Sequence, residues 1–118
     1  MNEKVLKSLY DIKLAIEEVD SYFANIDKTF WVFQGDIMLR RAIERNLEII
    51  GEAMNRILKE DPGFKIKNSR GIVGLRNQII HGYDSVSVEN LWGVLISHLP
   101  ILKIEVDALI EGNSLDEN

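Results

Sequence analysis

Apolar positions recur along this chain at helical rather than alternating spacing. From Val5 they run Val5, Leu9, Ile12, Ile16, Val19, Phe23 and Ile26, in steps of four and three that draw one narrow stripe. Lys4, Lys7, Asp11, Lys13, Glu17 and Glu18 fill the other faces. The stripe predicts a first helix over about residues 5–26. Phe30, Trp31 and Phe33 then break the pattern, as a recognition patch or as a hydrophobic cap on one end of the fold.

A second helix is predicted over about residues 36–59. Placed at about 100° per residue, Leu39, Ile43, Leu47, Ile50, Met54 and Ile57 cluster on one side. Met38, Ala42, Ile49 and Ala53 widen that arc to roughly 200°, against about 100° for a helix with one buried face. So wide an arc suggests contact with both a core and a partner chain. The rest of the circumference carries Arg41, Glu44, Arg45, Glu48 and Glu52.

Asp61-Pro62-Gly63 ends that helix, because Pro disfavours helix in the residue before it and Gly permits the turn. Ser69 is a candidate N-cap for a third helix over about residues 70–81, with Ile72, Leu75 and Ile79 inward and Gly82 ending it. A fourth begins near Ser87 and carries Val88, Leu91, Leu95, Leu99, Leu102, Val106 and Leu109. Pro100 falls inside it and should kink it, since Pro removes a backbone donor and crowds the preceding turn. Residues 111–118 are polar and expected to fray. Four amphipathic helices with short connections imply an all-α, up-and-down four-helix bundle with a kinked last helix, in a single domain over residues 1–118.

With 118 residues and 46% hydrophobic content, one core is attainable without staples. There is no cysteine, which removes disulfides and thiolate metal sites. The N-terminal segment mixes acids and bases where a signal peptide needs an apolar run, and no stretch approaches the roughly 20 apolar residues of a membrane span. A soluble, cytoplasmic protein without membrane association is expected. The net charge of −5 argues against a broad RNA-binding face but leaves room for a local basic cleft, particularly one built from two subunits.

Most catalytic signatures are missing: no phosphate-cradling Gly loop, no zinc spacing and no nucleophile elbow. Glu44, Glu48 and Glu52 resemble one strand of a di-iron site, but the Glu-x-x-His pairs such sites need are lacking. They read better as a face salt-bridged by Arg41 and Arg45, and no metal or other cofactor is expected. The stretch from Leu75 to Tyr83 differs. Asn77 and His81 lie one turn apart on a helix, with Arg76 bordering them. Arg supplies a permanent cationic fork for phosphate, His a proton carrier near neutral pH, and Tyr83 a hydroxyl and a stacking face. These are parts for binding or cleaving a phosphodiester. Spacing alone favours a plainer reading, in which Arg76 and Asn77 cap nearby carbonyls and His81 ends a helix beside its macrodipole.

Arg76, four residues, His81, one residue and Tyr83, with Asn77 directly after the Arg, is similar to the signature of HEPN nucleases. The run from Arg41 to Ala53 resembles the second-helix segment of the HepT branch. Tyr83-Asp84-Ser85-Val86, Leu91-Trp92 and Leu99-Pro100 resemble the next stretch of that branch, so the likeness spans about residues 5–110. The resemblance implies a dimeric HEPN domain acting as the toxin of a toxin–antitoxin pair. It would be a metal-independent RNA endonuclease whose homodimer forms a composite Arg/His cleft. It further implies Arg76 and His81 as catalytic residues, Asn77 and Tyr83 as substrate-binding or orienting ones, and Tyr83 as the site of AMPylation by an MNT-type nucleotidyltransferase antitoxin. The alternative is a non-catalytic HEPN interaction module that binds a nucleotide or a nucleotidyltransferase.

Overall fold

The computed structural model describes residues 1–82 and 86–116, and the described residues contain helices and no strand. Helix α1 spans Glu3–Ser21, α2 Phe30–Gly35, α3 Ile37–Glu60 and α4 Ser69–Ile80. Beyond residue 85, α5 (Val88–Gly93) passes through a π-helical turn (Val94–His98) into α6 (Leu99–Asp116). The molecule is a slab of 47 × 31 × 18 Å, about two helices thick. Helix α3 lies centrally, packed against α1, α4 and α2, while α6 packs on α1.

The predicted stripe of α1 is buried from Val5 through Val19, but the helix stops earlier than its apolar spacing suggests. The Ser21 hydroxyl donates to the Glu18 carbonyl at 2.6 Å, and the amides of Phe23 and Ala24 reach back three residues to Asp20 and Ser21. A side chain competing for a helix carbonyl loosens the last turn in this way, which leaves Phe23 half-buried and Ile26 exposed. The aromatic segment forms α2, capped by the Thr29 hydroxyl, which accepts from the Val32 amide. Phe33 is fully buried and meets Trp92 at 5.4 Å, and Phe30 meets the same ring edge-on at 6.1 Å. Two of the three aromatics therefore cap the fold, and Trp31 alone stays exposed.

Asp36 caps α3 by accepting the Leu39 amide at 3.0 Å, and Asp61 before Pro62 ends it. The wide apolar arc of α3 is taken up inside the chain. Ala53 is fully buried and Ile49 is packed against the core, while Met38, near the N-terminus of α3, is exposed. The arc reflects a helix with neighbours on two sides, so its width does not by itself require a partner chain.

Ser69 is not the cap of α4. Asn68 holds that position at φ 61, a left-handed conformation that Asn tolerates better than most residues. The helix closes where predicted, with Gly82 at φ 53 and its amide on the Gln78 carbonyl at 3.0 Å. Ser87 caps α5 by accepting from the Asn90 amide. The disturbance expected from Pro100 is a π turn just ahead of it. Pro100 has no amide to offer the Ile96 carbonyl and its ring crowds that carbonyl, so the chain widens and the Leu99 amide bonds five residues back, to Val94. Helix α6 then continues to Asp116, with Ile110 still buried. No helix among the described residues is long and apolar enough to cross a membrane.

Candidate functional site

The residues singled out by sequence lie on α4, and the way α4 sits on α3 sets their geometry. A Cβ at Gly51 would fall 2.1 Å from Arg76 Cβ, 2.8 Å from its Cγ and 3.2 Å from the Ile72 carbonyl. Only glycine lets the two helices approach so closely. A glycine inside a helix costs about 1 kcal/mol relative to alanine, and here that cost coincides with the seat of the Arg76 stem.

Arg76 is consequently half-buried and one turn before the helix end, not at the exposed terminus. Its Nη1 donates to Asn77 Oδ1 at 3.0 Å, and its Nη2 lies 3.9 Å from Glu52 Oε1. Its Nε is buried and has no hydrogen-bond partner among the described residues. Glu52 Oε1 also stands 3.8 Å from Arg45 Nη1, which makes its closer contact with Glu48 at 3.0 Å. Arg41 pairs with Glu44 at 3.2 Å. The carboxylates at four-residue steps on α3 thus form a ladder with Arg41, Arg45 and Arg76, as expected for a salt-bridged face. No group of three or more metal-capable side chains occurs among the described residues.

Asn77 is exposed, and His81 is exposed at the C-cap of α4, its amide on the Asn77 carbonyl at 3.0 Å. The structure brings Arg76 and Asn77 together through a side-chain hydrogen bond. It joins His81 to Asn77 through the backbone. Five residues apart on one helix, Arg76 and His81 diverge by about 140° and about 7.5 Å along the axis. Within one chain the cation therefore leans on α3 while the imidazole projects from the end of α4. Tyr83 lies outside the described residues, as do Asp84 and Ser85 of the same stretch.

Helix α4 also borders an apolar cleft of about 280 Å³, lined by Ile72 and Leu75 of α4, Ile50 of α3 and Leu99 and Leu102 of α6. His98 stands at this cleft, not at the Arg76–Asn77–His81 segment. Two neighbours of Arg76 escaped the sequence reading: Gly51, whose place mid-helix was the available signal, and Glu52, which looked like any carboxylate of a solvated face.

Residues 12–109 match the family described as Ribonuclease HepT-like. A protein of Methanocaldococcus jannaschii named "Putative RNase" is 36% identical over 110 residues, covering 91% of this chain and 98% of its own. A second from that organism, named likewise, is 34% identical over 93% of this chain and 91% of its own. A "Putative RNase" of Caldanaerobacter subterraneus subsp. tengcongensis is 34% identical over 70% of this chain and 75% of its own. No solved structure matches the chain significantly.

Proposed function

The chain belongs to the HepT-like ribonuclease family, and from that premise we propose that it is a metal-independent RNA endonuclease of the cytoplasm, the toxin of a toxin–antitoxin pair. The observation that carries this reading is the Arg76 guanidinium, seated against α3 and bonded to Asn77, one turn ahead of the exposed His81.

The proposed fold is a four-helix HEPN bundle that pairs into a homodimer, with the two α4 ends facing each other. The divergence of Arg76 and His81 within one chain supports a composite cleft, because one subunit's Arg can then stand beside the other's His. Arg76 binds the scissile phosphate and stabilises the charge that develops on it. One His81 takes the proton of the ribose 2′-hydroxyl as its oxygen attacks phosphorus. The bond to the 5′-oxygen breaks, and that oxygen receives a proton from the other His81. The products are a 2′,3′-cyclic phosphate and a 5′-hydroxyl. Asn77 orients the guanidinium or the phosphate. Tyr83 takes part in substrate binding and receives AMP from an MNT-type nucleotidyltransferase antitoxin, placing a phosphate and a purine where RNA would bind.

The purified chain incubated with total RNA in excess EDTA tests the reading. It predicts cleavage to cyclic-phosphate ends by a species of about twice the 13.5 kDa chain mass in sedimentation. Activity that vanishes in EDTA, or a monomer that cleaves, contradicts it. The acidic ladder beside Arg76 favours a second reading, a non-catalytic module that binds a nucleotide or the nucleotidyltransferase itself. Tight binding of that partner with no cleavage of any RNA would identify it.

A further inference from the structure

Resting on that reading of Arg76, we propose that Glu52 is its positioning residue, holding the guanidinium in the orientation the phosphate meets.

Gly51 fixes the Arg76 stem only as far as Cγ, where the backbone of α3 closes on it. Beyond Cγ the side chain still has rotatable bonds, and the head must be steered by the groups around it. Two do so. Asn77 Oδ1 accepts from Nη1 at 3.0 Å, and the Glu52 carboxylate faces Nη2 at 3.9 Å. Glu52 is not spent elsewhere: its other cation, Arg45, stands at 3.8 Å and keeps its shorter contact for Glu48 at 3.0 Å. Both of Glu52's contacts are ion pairs longer than a hydrogen bond, so the carboxylate attracts Arg76 without tying up its Nη2 protons.

The buried Nε of Arg76 gives independent support. A donor without a partner is costly to bury, and swinging the head outward would hydrate it. The side chain stays folded against α3 because something on that side attracts the charge. Glu52 is the acid whose ion pair reaches it. A cation already held in place needs no reorganisation when charge develops in the transition state. A negative charge beside it also weakens its hold on the substrate phosphate. Glu52 therefore favours turnover over ground-state binding.

Glu52→Gln keeps the shape and removes the charge, and it should separate two kinetic constants. We expect kcat for RNA cleavage to fall about tenfold, with KM unchanged or lower because one repelling charge is gone. In an Arg76→Lys background, adding Glu52→Gln should change kcat little, since a residue acting through Arg76 has nothing left to position. The second measurement is independent of activity. Side-chain nitrogen NMR of the full chain, with the Arg76 Nε signal assigned by its loss in Arg76→Lys, should show a slowly exchanging proton. In Glu52→Gln that signal should shift and exchange about tenfold faster.

If Arg76→Ala cleaves RNA like the parent, the reading of Arg76 as phosphate binder fails, and the NMR result alone judges Glu52. If Arg76→Ala is dead while Glu52→Gln keeps the parental kcat, the Glu52 proposal fails by itself. An equal loss from Glu52→Gln in both backgrounds, or an unmoved Nε signal, also overturns it.

Discussion

Where α3 meets α1, two buried polar residues, Ser8 and Asn46, sit among apolar side chains, and both are hydrogen-bonded. Asn46, buried, donates to Glu18 Oε1 at 3.0 Å and to the Ala15 carbonyl at 3.3 Å. The Tyr22 hydroxyl sits 2.8 Å from both Asn46 Oδ1 and Glu18 Oε1 and can give its proton to either. Where α3 meets α4, the helices touch through a glycine, the contact holds an arginine with a donor unpartnered among the described residues, and Ile79 is the one buried residue of α4. The first interface is complete within the chain. The second leaves polar capacity unspent on the helix whose C-terminal end carries an exposed histidine. One helix serves both, so stability and chemistry should be separable by choosing the side that is altered.

The largest expected effect lies on the α1 side. Ile12 is fully buried there, and Ile12→Ala should cost about 2–5 kcal/mol. Urea unfolding would measure it, while the kcat of the remaining folded protein should stay parental. Asn46→Ala comes next, at about 1–3 kcal/mol, because it leaves Glu18 and Tyr22 short of a partner in a partly buried place. Its cleavage rate should again be unchanged. Gly51→Ala reverses the pattern. The new methyl collides with Arg76 Cβ at 2.1 Å, close to the backbone, so α4 itself must move. Helix propensity returns about 1 kcal/mol against about 1–3 kcal/mol of overpacking. The net loss of stability, about 0–2 kcal/mol, should stay below that of Ile12→Ala, while cleavage falls steeply. Parental cleavage by Gly51→Ala would mean that the α3–α4 contact does not set the site.

The smallest effect is a pH dependence confined to the α1 side. Hydrogen bonds from Asn46 first, then Tyr22, hold the Glu18 carboxyl below its ordinary range, and burial pushes the Tyr22 hydroxyl up. A carboxyl lowered by folding contributes stability above its unfolded value near 4.5 and loses it as pH falls through the folded one. Glu18→Gln lacks that component. The gap in melting temperature between parent and variant should narrow from pH 6 to pH 3, on the order of the window this linkage sets, and a constant gap would count against the network.

The same contrast explains what was legible in the sequence. The stripe on α1, the helix starts near Asp36 and Ser87 and the stop at Gly82 follow from local chemistry and spacing, and the structure carries them. The early end of α1 depends on a side chain–backbone competition that periodicity does not encode, and periodicity is equally silent on the left-handed Asn68. The arc of α3 was visible, but which neighbours fill it is a tertiary matter, and α1, α4 and α2 of the same chain are among them. The segment Arg76, Asn77, His81 stood out by residue type. Its setting did not: Gly51 and Glu52 gain their meaning only once α4 is laid across α3.

The central claim is that His81 moves protons in RNA cleavage. Single-turnover cleavage by His81→Ala and by His98→Ala, each compared with the parent in EDTA, tests it most directly. His98 lies at the apolar cleft and is as exposed as His81 in kind, so it controls for loss of an imidazole. The account predicts a fall of about 10² to 10⁴-fold for His81→Ala and a parental rate for His98→Ala. Equal rates for His81→Ala and the parent would contradict it.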